Sequence, residues 1–343
     1  MKLGTVAVGR RVDGTYVFVK HPGHQDQKSH GRGSRGSAAK GPVFEGATVS
    51  DWDNNAQVGA RAMGLEDYNN RHNGPGATGE RMDTEHLYKR ADGSYTAKRA
   101  AQHDEIVDDL MAKNADVPNE GKAVVIAGPP GAGKTSILHA KENGSAEAVG
   151  VEFNANGSLK SHAGENADDI KMMMTEKGMT PKIAGTVDGE MVGLIHEESS
   201  HISKIYTKRL IAEKKNIVID GTMGGDDGQK QIDKLHAVQG RDYKVKAIMV
   251  DTDPEMAIAS ANARWVGGEK SRLAKPGEKP HESAEQGGRY VMASVTRQGS
   301  MPTGRVTGAK TANRENFEIL TRPGSGVKFD EVLVFDNSKT AAH

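Results

Sequence analysis

The sequence predicts an α/β fold: a three-layer sandwich of the P-loop NTPase/kinase class, with a central, mainly parallel sheet and a largely disordered N-terminal appendage. Two observations predict it. Five short apolar runs, 123–128, 148–153, 216–219, 244–250 and 329–335, have helical patterns between most of them. Strands alternating with helices form βαβ units and a parallel sheet covered on both faces. The first run, AVVIAG, leads directly into GPPGAGKTS, a full match to G-x-x-x-x-G-K-[ST].

Composition narrows the class. The chain has 343 residues, 46 basic and 46 acidic side chains, no cysteine and 42 glycines. That length suggests one large or two modest domains. Lack of cysteine excludes disulfides and thiolate-ligated zinc, and fits a reducing compartment. No apolar run approaches the roughly 18 residues that cross a bilayer. MKLGTVAVGRRVDG has arginines where a signal peptide's apolar segment would continue, so the expectation is a cytoplasmic protein without a membrane partner. Zero net charge gives no global attraction to nucleic acid.

In chain order, TVAVG and TYVFVK flank an Asp-Gly turn signal and predict a small hairpin. From His21 to Gly41 the composition is Gly, Ser, His and basic residues, too polar to offset its ordering entropy, which predicts disorder. Residues 45–80 remain polar, with NNRHNGPGATGE reading as a loop. Order is expected to begin near Met82, giving a low-complexity extension over 1–81 and a folded domain over 82–343. Within 96–113, Ala100, Ile106, Val107, Leu110 and Met111 recur at helical spacing. AVVIAG follows as a buried parallel strand.

The run Gly128, Pro129, Pro130, Gly131, Ala132, Gly133, Lys134, Thr135, Ser136 is a Walker A phosphate loop. Its glycines let the backbone curl so that N–H groups face phosphate oxygens, and the following helix adds its N-terminal partial charge. Lys134 is expected to reach the β- and γ-phosphates and Thr135 to ligate Mg²⁺. The loop names a nucleotide site, ATP or GTP, and leaves the reaction open. NIVID places Asp220 at a later strand end, before Gly221 and Thr222. That edge is where open α/β sheets bind ligands, so Asp220 is a candidate for the magnesium shell or the acceptor; a plain turn former is the alternative.

ENADDIKMMM (165–174) offers Asn166 or Asp168 as a helix cap. Asp168 is equally a candidate general base for an acceptor hydroxyl. IHEESSHISK (195–204) superficially suggests a zinc-protease helix, but His196 and His201 are five apart and point roughly 140° from each other. Helical phase puts Glu198 and Ser199 at the edges of the sector holding Ile202, Ile205, Tyr206 and Leu210, with Glu197 outside it. Glu198 is thus either dipole-stabilised structure or a ligand contact. Residues 253–268 read as a helix opened by Pro254 and ending near Arg264, followed by Lys270, Arg272, Lys275, Lys279 and Arg289. Such a segment either supplies arginines to the transferred phosphoryl, Arg264 first and Arg272 second, or is a solvated loop.

VVIAGPPGAGKTSIL, ADDIK, IHEESSHISK, NIVIDGT and ANARW, in that order, resemble the zeta-toxin family of P-loop kinases over about residues 96–290. The resemblance implies ATP- or GTP-dependent phosphorylation of a UDP-activated amino sugar such as UDP-N-acetylglucosamine. It also implies a toxin–antitoxin context, in which an antitoxin is a candidate partner. It makes Lys134 and Thr135 the nucleotide and Mg²⁺ residues, Asp168 the base, Thr222 a substrate contact and Arg264 a phosphate-stabilising arginine. The chain departs from the pattern where SLKSHAGE replaces an apolar strand before Asn166. It departs again at Gly224, where many members carry arginine, and at Lys204, near a usual acidic contact whose role passes to Glu198. HPGHQDQKSHGRG resembles segments of phage head-morphogenesis proteins, implying a phage-infected cell and a phage structural partner. Other acceptors, a nucleic-acid end or an antibiotic, and an assembly role stay open.

Overall fold

A computed structural model describes residues 5–10, 16–20, 49–139, 150–154, 158–225, 227–273 and 287–337. Strands β1 (Thr5–Arg10) and β2 (Tyr16–Lys20) pair antiparallel, with a register shift between Ala7 and Gly9. The expected hairpin pairing is present. Its turn and the His21–Gly41 segment lie outside the described residues.

Two compact units make up the chain: Met1–Asp83 with Thr180–Leu194 and Ala259–Met292, and Thr84–Met179 with Ile195–Ile258 and Ala293–His343. In the first, α1 (Asn55–His72) is capped by Asn54, whose side chain accepts the Ala56 and Gln57 N–H groups. The helix buries Val58, Leu65 and Tyr68 with Trp52, Met191, Leu194, Trp265 and Tyr290. Trp265 meets Trp52 and Tyr290 edge-on, with ring centroids 5.2 and 5.0 Å apart. A buried Arg61–Glu190 pair ties α1 to 188–190. Order therefore begins well before Met82. The helix was hidden because its few apolar residues find partners more than a hundred positions away.

The second unit carries α2 (Thr84–Tyr88), α3 (Ala97–Lys113), β3 (Lys122–Ala127), α4 (Lys134–His139), β4 (Ala163–Glu165), α5 (Ala167–Glu176), α6 (His196–Ala212), β5 (Ile217–Gly221), α7 (Asp227–Gln239) and β6 (Lys244–Asp251). Next, α8 (Pro254–Leu273) starts in this unit and belongs to the first from Ala259 on, and α9 (Ala293–Ser300), α10 (Ala312–Thr321) and β7 (Glu331–Asp336) complete the second. Five strands form one sheet in the order β4-β5-β3-β6-β7, each neighbouring pair parallel. Residues 123–127 are buried throughout, as a strand covered on both faces requires. One face packs Val124, Ile126, Val218, Ile248 and Val250 with Leu333 and Phe335. In register, Ile126 stands opposite Asp220, so Asp220 lies beside the strand end that feeds the phosphate loop.

Two expectations need correction. Described residues of 148–153 form no strand, only a bridge from Phe153 to Leu159. The sheet edge is taken instead by Ala163–Glu165, so SLKSHAGE does supply the strand before Asn166, in three residues. Nor does the second helix end at Arg264; α8 runs to Leu273 through Gly267 and Gly268. A Cβ on Gly268 would stand 2.4 Å from the Gly288 Cα. That glycine marks close backbone approach rather than a stop.

Candidate active site

Three turns of positive φ shape the phosphate loop: Gly128 (148°), Gly131 (84°) and Gly133 (87°). A Cβ on Gly128 would lie 2.6 Å from the Val250 carbonyl oxygen, so that position admits glycine on both counts. The loop is held from beneath: Thr252 Oγ1 and Asn337 Nδ2 donate to the Ala132 carbonyl at 3.3 and 2.8 Å. Pro129 is buried and Pro130 half-buried. Lys134 Nζ donates to the Gly128 and Pro129 carbonyls at 2.8 and 3.3 Å and sits 3.6 Å from Asp220 Oδ1. Thr135 and Ser136 are exposed on the first turn of α4.

An acidic wall stands opposite. Asn166 caps α5 by accepting the Asp168 N–H at 2.8 Å, and Lys171 Nζ lies 3.1 Å from Asp168 Oδ1. Burial pushes the Asp220 carboxyl up; Lys134 pulls it back, while the charges of Asp168 and Asp169 add to the rise. Glu165, fully buried at the end of β4, accepts from Lys234 at 2.9 and 3.0 Å and from Ser203. Burial pushes it up as well, against Lys234, and Asp220 adds to the rise. Lys134 and Asp220 are thus brought together, and the Asp168 charge reaches Asp220. A cation beside the strand-end carboxylate of Asp220, with Asp168 on the first turn of α5, can hold polyphosphate and take a hydroxyl proton in one place.

Thr222 follows in the next loop. Its hydroxyl accepts the Gly224 N–H at 3.3 Å and its carbonyl accepts Asn313 Nδ2 at 2.7 Å.

Glu198 is a correction. Its carboxylate is fully buried and accepts from Arg99 Nε (2.9 Å) and Nη2 (3.1 Å), pairs with His103 Nε2 (2.7 Å), and takes a hydrogen bond from Thr84. Burial pushes its carboxyl up, but the His103 and Thr84 hydrogen bonds and the Arg99 charge outweigh it and hold it low. A carboxylate so engaged ties α6 to α2 and α3 instead of facing a substrate. Helical phase placed it inward; the partners could not be read locally. Glu197 and His196 are exposed, as expected for Glu197. His201 packs against Tyr95 and His103, with centroids 4.9 and 5.6 Å apart.

Arg264 and Arg272 belong to the first unit, while the phosphate loop belongs to the second. Arg264 is exposed in mid-helix, and Arg272 donates to the buried Glu269 at 3.1 and 3.0 Å. Lys275 and Lys279 lie outside the described residues. Residues that the sequence did not single out include Lys234, Thr252, Asn313 and Asn337, which belong to no recognisable motif, and Glu165, which opens ENADDIKMMM but carried no signal of its own.

The family model described as Zeta toxin matches residues 166–334. Among solved structures, AvrRxo1-ORF1:-ORF2 with ATP is similar at 16% identity and TM-score 0.40, over 63% of this chain and 65% of that one. The same pair with sulphate ions gives 16%, 0.39, 57% and 60%. A structure of the PezAT chromosomal toxin-antitoxin system of Streptococcus pneumoniae gives 17%, 0.35, 49% and 62%. The chain spans less than two thirds of each of these proteins. No curated protein matches it.

Proposed function

We propose that the chain, whose residues 166–334 match the Zeta toxin family model, is a kinase that moves the γ-phosphoryl of ATP or GTP to a hydroxyl of a UDP-activated amino sugar. The observation that carries this reading is Lys134 of the phosphate loop set 3.6 Å from Asp220, with the Asp168 charge beside it. The loop at 128–136 lies before the matched stretch, so motif and family match support the kinase independently.

In this reading Gly128–Ser136 cradle the phosphates and Lys134 leaves its loop carbonyls for the β- and γ-oxygens. Asp168 takes the acceptor proton, the acceptor oxygen bonds to the γ-phosphorus, and the bond to the β–γ bridging oxygen breaks, releasing the nucleoside diphosphate. Thr222 contacts the acceptor. Among the described residues no three His, Asp or Glu side chains group as a metal site. Mg²⁺ bound through phosphates needs only one or two protein oxygens, and the exposed Thr135 hydroxyl with Asp220 fits that demand. When bound it neutralises phosphate charge. An antitoxin, and phage structural proteins through residues 1–81, complete the proposed partners. No helix among the described residues is long and apolar enough to cross a membrane.

A different acceptor, a nucleic-acid end or an antibiotic hydroxyl, is favoured by one observation. A Cβ on Gly224 would lie 2.5 Å from the Gly299 carbonyl oxygen, so the arginine many members carry there has no place. Protein incubated with γ-labelled ATP and each acceptor class decides. Label on UDP-N-acetylglucosamine, absent in Lys134→Ala, supports the sugar; label only on an oligonucleotide or antibiotic replaces it; no acceptor-dependent label overturns the kinase.

A further inference from the structure

We infer that Asn313 and Asn316 on α10 are positioning residues that set the acceptor side of the site by gripping the backbone of loop 222–225. Which catalytic step they affect rests on the kinase reading above; the grip itself does not.

That loop begins two residues after Asp220 and contains Thr222. Asn313 Nδ2 donates to the Thr222 carbonyl at 2.7 Å. Asn316 Nδ2 donates to the Met223 carbonyl at 2.7 Å and the Gly225 carbonyl at 2.9 Å. Two side-chain amides, one turn apart on the same helix face, thus bind three of the loop's four carbonyls. The chemistry suits the task. Each NH₂ offers two donors without charge, whereas a lysine placed there would be a buried charge facing dipoles alone. Asn313 and Asn316 are both buried. Arg305 Nη2 donates to Asn316 Oδ1 at 2.6 Å from the exposed side, which orients that amide with its donors toward the loop.

What the grip holds is a strained conformation. Met223, fully buried, has φ 53°, a left-handed backbone that a side chain disfavours. The Gly225 N–H closes onto the Gly299 carbonyl at 3.0 Å, the same oxygen that excludes a Cβ at 224. Strained backbone persists only where surrounding structure over-determines it. Here a helix face on one side and the end of α9 on the other supply that determination. The phosphate loop has separate supports in Thr252 and Asn337. Releasing the asparagines should therefore disturb the acceptor side and spare the nucleotide side.

The test is amide hydrogen exchange on the full chain, paired with steady-state kinetics using ATP and UDP-N-acetylglucosamine. In Asn316→Ala, exchange across 222–225 should quicken about tenfold, as loss of two hydrogen bonds implies, with 128–136 unchanged. Acceptor kcat/KM should fall about a hundredfold, the scale of a small misplacement, with KM for ATP within about threefold. Should Asn316→Ala fail to fold, Arg305→Ala removes the exposed orienting donor together with its Nε bond to the Thr303 hydroxyl, leaves both asparagines in place, and should quicken the same segment about threefold. Unchanged exchange at 222–225 overturns the inference. So does a rise spread evenly over the sheet, or an equal loss toward ATP. If the wild type transfers nothing to the sugar, the acceptor reading fails, and the exchange pattern alone still decides the grip.

Discussion

Replacing Glu198 by alanine separates a structural carboxylate from a substrate-binding one. In the structure Glu198 is fully buried and receives Arg99 through two nitrogens, with His103 and Thr84 completing its shell. Arg99 has no compensation in water, its side chain being 7% exposed. Breaking a buried pair by removing one partner costs about 3–5 kcal/mol, a large part of a total stability of about 5–15 kcal/mol. At roughly 2–4 °C per kcal/mol for a domain of this size, the unfolding midpoint should fall by about 6–20 °C. The double variant Glu198→Leu with Arg99→Met should lose less than the two single losses combined, because no charge is stranded. Glu198 is held below its ordinary range. Its contribution is therefore full above about pH 4.3 and declines as pH falls through the lower folded value. Thermal unfolding of the wild type, Glu198→Ala, Glu198→Leu, Arg99→Met and the double variant checks this. An unchanged midpoint together with a raised acceptor KM would return Glu198 to the pocket.

Other consequences are more local. His162 is buried and its imidazole is pushed down to about 4, first by burial and then by Lys122. Stability should be full above about pH 6.5 and fall by roughly 3 kcal/mol toward pH 4 as this group charges; His162→Gln should flatten that slope in denaturant titrations. Gly224→Ala brings a methyl 2.5 Å from the Gly299 oxygen and should destabilise by about 1–3 kcal/mol, measured by chemical unfolding. Lys134→Ala should weaken ATP binding at least about tenfold by calorimetry while leaving the melting temperature of the free protein nearly unchanged, since its partly exposed amine meets loop carbonyls and Asp220.

Local chemistry made part of the site legible. GPPGAGKTS needs three positive-φ positions in one short span, and glycine supplies them at 128, 131 and 133. VIDG ends a buried strand, and parallel register then sets Asp220 opposite Ile126. Asn166 caps its helix within two residues. What stayed hidden depends on long-range pairing. Trp52, Leu65 and Tyr68 bury against Met191, Trp265 and Tyr290, so a polar stretch folds. The edge strand at 163–165 is short and ends in a glutamate, tolerable only because Ser203 and Lys234 meet it. Glu198 follows the same rule in reverse: its phase was readable, its partners Arg99 and His103 were not.

In the proposed reaction Asp168 takes the acceptor proton while Lys134 and its loop hold the nucleotide. Single-turnover transfer from ATP preloaded on the enzyme, comparing wild type with Asp168→Asn, tests it most directly. Expected are unchanged ATP binding and transfer slowed by about 10²–10⁴-fold. Transfer at the wild-type rate in Asp168→Asn would contradict it.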